Sequence, residues 1–209
     1  MYGGLRFFER AEIKHAIAYL RLIANKNDDS AFLRIVNFPT RGIGSRSLES
    51  LQDTSRRDGC SLWDAAVKSS DQTLTIKKGL PYFVHLIKHI ESGFEGLTLP
   101  QMIDLIINES GLKDHYTNEK DGLDRVSNLN ELVSAAATFL NNDNNESKNP
   151  LGDFLNYSSL ESGDMQASEG SDAIQLMTIH SSKGLEFDVQ EQRILQHVFE
   201  LTSKYRNFD

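Results

Sequence analysis

Two short runs in the chain combine residue types and spacing that suit phosphate binding. The first, Thr40-Arg41-Gly42-Ile43-Gly44-Ser45-Arg46, places two glycines around an aliphatic residue and between two arginines. Glycines let backbone approach an anion closely, and a helix starting at Ser45 would add free N–H groups and a positive end. Such a turn grips a phosphate backbone without reading base sequence. The same residues also suit an ordinary turn between helices. The second run, His180-Ser181-Ser182-Lys183-Gly184, follows Ala173 to Ile179, which reads as a buried strand. Its small residues can hold N–H groups open toward a phosphate while Lys183 supplies charge. A strand, a polar turn and a helix start is the plainer account.

Two further pairs have site-like spacing. Gly111 and Lys113 sit at a second helix junction and can meet a phosphate, although a glycine cap beside a solvated lysine explains both equally well. His85 and His89 are four apart, as metal ligands on a helix would be, but no third ligand is evident and a solvated helix face is the simpler reading.

The elements that must position these residues are helices. Ile13, Ala16, Ile17, Leu20 and Ile23 recur three or four apart, which predicts a helix from Glu9 to Ile23 with Phe7 and Phe8 packed into the core. Asp29 or Ser30 can cap a second helix carrying Phe32, Leu33, Ile35 and Val36; Pro39 stops it, and Ser45 caps a third running to about Arg57. Further apolar stripes predict helices around Leu62 to Val67, Thr73 to Gly96, Leu99 to Asn108, Arg125 to Leu140 and Leu151 to Leu160. Asn141 to Asn149 and Glu161 to Ser171 are polar linkers with too little apolar content to pack. The expected fold class is mainly α, with one short β element near the chain ends, which should lie close together.

Composition bounds the function. The 209 residues suffice for one sizeable domain or two small ones, and 39% hydrophobic residues suffice for a core. A formal charge of -8 argues against a surface that wraps nucleic acid everywhere, so any contact must be local. The lone Cys60 excludes an internal disulfide and fits a reducing compartment; with no bilayer-spanning apolar run and no signal peptide, the expected location is the cytoplasm, with no membrane partner.

Thr178-Ile179-His180-Ser181-Ser182-Lys183-Gly184-Leu185-Glu186-Phe187 resembles motif V of the UvrD/Rep/PcrA family of superfamily-one DNA helicases. Pro39-Thr40-Arg41-Gly42-Ile43-Gly44, Tyr2 to Lys14 and the Arg125-x-x-Asn128-Leu129-x-Glu131-Leu132 helix are likewise similar to segments of that family. The resemblance implies that residues 1–8 and 172–187 are slivers of the second motor domain, that 9–171 form its helical 2B insertion, and that 188–209 are an unassigned amphipathic tail. It further implies duplex contacts at Thr40, Arg41, Gly42, Ile43, Gly44 and Arg46, with Gly111 and Lys113 as a second junction. In the parent helicase, Thr178 and His180 would face single-stranded DNA, and Gly184 and Glu186 would face ATP with its Mg.

The chain has no Gly-x-x-x-x-Gly-Lys-Thr phosphate loop and no Asp-Glu pair ending an apolar strand. Alone, therefore, it should hydrolyse no ATP and need no cofactor. The expectation is a fragment of an ATP-dependent repair or replication helicase that acts as a duplex-binding regulatory module beside the remaining motor domains. The alternative is a protein-interaction module, with a repair protein as partner; an autonomous ATPase is a third, poorly supported reading.

Overall fold

In the computed structural model of the chain, residues 6–70, 79–142 and 148–162 are described, and all of them fall within one compact unit. They form ten helices: α1 (Arg6–Glu9), α2 (Ala11–Ala24), α3 (Asp29–Ile35), α4 (Ser45–Asp58), α5 (Leu62–Ser70), α6 (Leu80–Ser92), α7 (Leu99–Glu109), α8 (Leu112–Thr117), α9 (Gly122–Asn142) and α10 (Pro150–Ser162). The chain is mainly α, and no strand occurs among the described residues. The expected β element, the chain ends and the stretch from Asp172 to Asp188 lie outside them.

Helix α2 is the centre of the packing. Its Ile13, Ala16, Tyr19, Leu20 and Ile23 are all buried, and it packs against α3, α7, α9 and α10. Each fully buried aliphatic side chain contributes roughly 1.5–3 kcal/mol. Phe7 and Phe8 are buried as well; Phe8 meets Phe154 of α10 edge to face, with ring centroids 6.4 Å apart. One carboxylate also enters this core. Glu12 is 4% exposed, and its oxygens accept from Arg125 Nη1 at 3.1 Å and Asn128 Nδ2 at 2.7 Å. The Arg-x-x-Asn spacing on α9 thus fastens that helix to α2, because residues three apart share a face.

The helix ends show where pattern reading falls short. Asp28, not Asp29 or Ser30, caps α3: its Oδ1 accepts from Ala31 N–H at 2.9 Å, and its Oδ2 accepts from Arg21 Nε at 2.8 Å. Asp29 instead accepts from Leu62 N–H at 2.9 Å, tying α3 to the start of α5. Ser45 is the first residue of α4, and Gly44 holds the capping position. Helix α6 does not run from Thr73 to Gly96. Gly79 has φ 81°, a backbone conformation that no helix passes through, so the helix begins at Leu80 and ends at Ser92.

Arg41 connects these helices through a buried charge. Only 8% exposed, its guanidinium donates to the carbonyls of Ile35 at 3.0 Å, Pro39 at 3.1 Å and Ser110 at 3.0 Å, and to the Tyr19 hydroxyl. It also lies over the rings of Phe83 and Tyr19, at 5.5 and 5.9 Å from their centroids. Replacing Arg41 with Ala would remove the donor of the Pro39 and Ser110 carbonyls, the latter in buried surroundings, while Ile35 would keep only the Phe38 N–H at 3.0 Å. The expected loss is about 3 kcal/mol or more, read from urea unfolding followed by circular dichroism. Lys should rescue it little, because one ammonium cannot reach this set of acceptors.

His15 reports on the same region. Its ring stacks on Phe38 with centroids 3.7 Å apart, and its Nδ1 lies 2.6 Å from the Tyr116 hydroxyl. Burial first, then the positive charge of Arg34, lowers its pKa from 6.5 to about 4; His115 and Arg125 act the same way and Glu12 opposes them. The folded state therefore binds fewer protons than the unfolded chain between those values. Stability from this site is full above pH 6.5 and is lost as pH falls toward about 4. Urea midpoints at pH 7 and pH 5 should differ less in His15→Gln than in the native chain.

Candidate nucleic-acid interface

Between α3 and α4 the chain makes the Gly-Ile-Gly turn, and its shape is set mainly by one side chain. Asn37 Oδ1 accepts from the backbone N–H of Arg41 at 2.8 Å and of Ile43 at 3.1 Å. An Asn side chain bonding to backbone a few residues on is an established way to fix a loop. The Arg41 carbonyl accepts from Gly79 N–H at 3.0 Å, and Ile43 is buried, 4% exposed. Alternate residues of the turn thus point inward.

The residues between them face outward. Gly42, Gly44, Ser45 and Arg46 are exposed, and among the described residues no protein acceptor takes their backbone N–H groups. Helix α4 starts on Gly44 with no side-chain cap, so its first donors and the positive end of its dipole meet solvent. Gly42 needs to be glycine, since its φ is 77°. Gly44 does not: its φ is -83°, and a Cβ there would have no heavy atom within 4 Å.

Set against the positions expected from sequence, Thr40, Gly42, Gly44 and Arg46 lie on this exposed rim. Ile43 anchors it from below. Arg41 differs most from the expectation: its guanidinium faces the core and holds the turn in place, so a phosphate contact by that side chain would require the core to open. Its bond to the Ser110 carbonyl brings the second junction beside the first, and the Cβ position of Gly111 lies 3.8 Å from Pro39 Cγ. Gly111 has φ 80° and donates its N–H back to the Asn108 carbonyl at 3.4 Å, as a glycine ending a helix does. Lys113 is exposed, 3.4 Å from Asn108 Oδ1. The two junctions adjoin, and at the second the Leu112 N–H is taken by Ser110 Oγ at 3.3 Å.

Asn37 was not among the residues singled out from sequence. An Asn four residues before Arg41, just ahead of Phe-Pro, is a turn signal that composition alone does not distinguish from a surface Asn. His85 and His89 form no metal centre: His89 Nε2 lies 3.7 Å from Glu109, and no group of three His, Cys, Asp or Glu residues among the described ones could hold an ion. Among the same residues, no helix is long and apolar enough to cross a membrane. Thr178, His180, Gly184 and Glu186 lie outside the described residues.

Known proteins place the turn in a wider context. DNA helicase II of Escherichia coli strain K12 is 45% identical over 192 residues, covering 90% of this chain and 27% of that protein. DNA helicase II of Haemophilus influenzae is 43% identical over 192 residues, covering 90% of the chain and 26% of the relative. An ATP-dependent DNA helicase PcrA of Staphylococcus epidermidis is 32% identical over 213 residues, covering 98% and 29%. The chain spans little more than a quarter of the curated relatives it matches. The family model described as UvrD-like helicase C-terminal domain matches residues 1–190 of the 209, and the chain belongs to that family.

Proposed function

We propose that the chain is the 2B-type insertion of a UvrD-like DNA helicase, with flanking slivers of the second motor domain, and that it serves as a duplex-binding regulatory module. The observation that carries this reading is the row of unclaimed backbone donors at Gly42, Gly44, Ser45 and Arg46, held outward by Asn37 and Arg41. Backbone N–H groups bind phosphate oxygens whatever the base, so the contact is independent of sequence. The exposed Arg46 side chain adds charge beside them. Thr40 lies at the rim and Lys113 on the adjoining junction, where both can extend the contact along the backbone.

The relatives carry names of DNA helicases, one of them ATP-dependent, which supports ATP with Mg as the fuel of the whole protein. In that protein Thr178 and His180 would meet single-stranded DNA, and Gly184 and Glu186 the nucleotide. One edge of a split nucleotide site supplies neither the phosphate loop nor the magnesium ligands, so the chain alone is proposed to be no enzyme. A second reading, a protein-interaction module, has one observation in its favour: Leu123 is 89% and Leu160 69% exposed. Single exposed leucines are common on soluble proteins, so the duplex reading stands first.

Titration of a labelled duplex at low salt tests the proposal. The native chain should bind weakly, at roughly 10⁻⁴ M, and lose about tenfold between about 50 and 200 mM salt if some two phosphates are neutralised. Gly44→Val should weaken binding severalfold with helicity unchanged, because open space surrounds the new side chain in the free protein. Arg46→Ala should weaken it less and flatten the salt slope by about one unit. Equal binding by all three, or none at low salt, favours the interaction module. ATP turnover by the purified chain should be undetectable, and turnover abolished by Glu186→Ala would overturn the non-enzymatic reading.

A further inference from the structure

A cleft of about 300 Å³ opens between α2, α3 and α10, lined by none of the residues from Thr40 to Arg46. Among the described residues three cations line it, Lys14 and Arg21 from α2 and Arg34 from α3, with Ser30, Ser158, Ser159 and Ser162. No carboxylate is among the described residues that line it, although the whole chain carries a formal charge of -8. The helical period explains the gathering. Lys14 and Arg21 are seven residues apart on α2, and Ser30 and Arg34 four apart on α3, so each pair shares a face.

The donors are arranged for use. Arg21 is held by its Nε, which donates to Asp28 Oδ2 at 2.8 Å; its two terminal nitrogens have no acceptor among the described residues. Asp28 is itself fixed by capping α3, so the guanidinium has a firm support. Arg34 is exposed and has neither a hydrogen bond nor an ion pair among the described residues. Its uncompensated field is felt at His15, where it is the second cause of the lowered pKa after burial. The hydroxyls of Ser30 and Ser159 likewise have no acceptor among the described residues, while Ser158 donates to the Leu155 carbonyl at 2.9 Å. Planar guanidinium groups and hydroxyls converging on a small polar cleft match the oxygens of a phosphate group.

We propose that this cleft is a phosphate-binding site, with Arg34 and Arg21 as the principal ligands and Ser30 and Ser159 as neutral donors. The phosphate belongs either to a nucleic-acid backbone or to a free phosphate compound. The site does not depend on the duplex reading of the Thr40 to Arg46 turn. Its test uses the purified chain at low ionic strength and neutral pH, with the melting temperature followed during titration with inorganic phosphate and with pyrophosphate, against chloride at matched ionic strength. Both phosphates should raise the melting temperature of the native chain and of Gly44→Val. Arg34→Gln, on an exposed position, should melt as the native chain does without ligand and bind phosphate roughly tenfold more weakly. Ser159→Ala should show a smaller loss. A duplex titration of Arg34→Gln then separates the sources: a matching drop in duplex affinity assigns the site to nucleic acid, and unchanged duplex affinity assigns it to free phosphate. The proposal fails if neither phosphate stabilises the native chain beyond chloride, or if Arg34→Gln responds as the native chain does.

Discussion

A single buried guanidinium holds together the parts of this domain that matter most for its proposed role. Removing Arg41 from water is costly, and among the described residues no carboxylate pairs with it. It is stabilised instead by dipoles: the Ile35, Pro39 and Ser110 carbonyls, the Tyr19 hydroxyl and two aromatic faces. The arrangement requires Tyr19 to remain neutral, accepting from Arg41 while donating to the Phe38 carbonyl at 2.7 Å. Burial secures this by pushing the Tyr19 pKa up to about 12, against the opposing pull of Arg41. The end of α3, the turn after it, α2 and the α7–α8 junction are thereby fixed to one planar group. A guanidinium suits this place because its donors lie in a rigid fork, whereas carbonyls at a helix end and a junction approach from separate directions.

How far this was legible in the sequence differs by kind of information. The helices were readable because burial writes a period of 3.6 into the apolar residues, and Ile13, Leu20, Leu129 and Leu132 are buried as their spacing required. Gly42 was readable as a turn glycine because a residue with φ 77° has few alternatives. The direction of Arg41 was not. A turn has no side-chain period, so an arginine between glycine and threonine reads as a surface cation whichever way it faces. Asn37 and Asp28 escaped for a related reason: several polar residues in succession can cap or bridge, and only tertiary geometry selects among them. The limit of α6 at Gly79 was hidden because an apolar pattern runs on past a glycine that the backbone does not.

Polar groups in the core follow one rule throughout. Glu12, buried on α2, meets Arg125 and Asn128 from α9; Arg41 meets carbonyls; and among the described residues no buried side-chain nitrogen or oxygen lacks a partner. Glu12 and Arg41 each join elements distant in sequence, which apolar contacts alone would fix less specifically, while the buried serines bond locally. The cation-lined cleft differs, since among the described residues the exposed Arg34 and the terminal nitrogens of Arg21 have no protein acceptor there. Satisfaction inside and vacancy at the cleft are what separate a structural arginine from one that can hold a ligand.

The same contrast bears on Gly44. A serine, threonine or aspartate at a helix N-cap stabilises a protein by about 1 kcal/mol relative to alanine, but by only a few tenths relative to glycine, by accepting an exposed N–H. Gly44 has the extended conformation that such residues adopt, at φ -83° and ψ 168°, and there is space for a side chain. Neither steric crowding nor backbone strain therefore explains the glycine, in contrast to Gly42. A capping oxygen at Gly44 would occupy the backbone donors one turn in, Arg46 N–H first since Ser47 N–H already donates to the Gly44 carbonyl at 3.1 Å, and place a lone pair where the proposed phosphate oxygen would lie. A bare N-cap leaves those donors open. The fold fixes the turn through Arg41 and Asn37 from inside and leaves the outer face unfilled, which is the arrangement that the proposed phosphate contact requires.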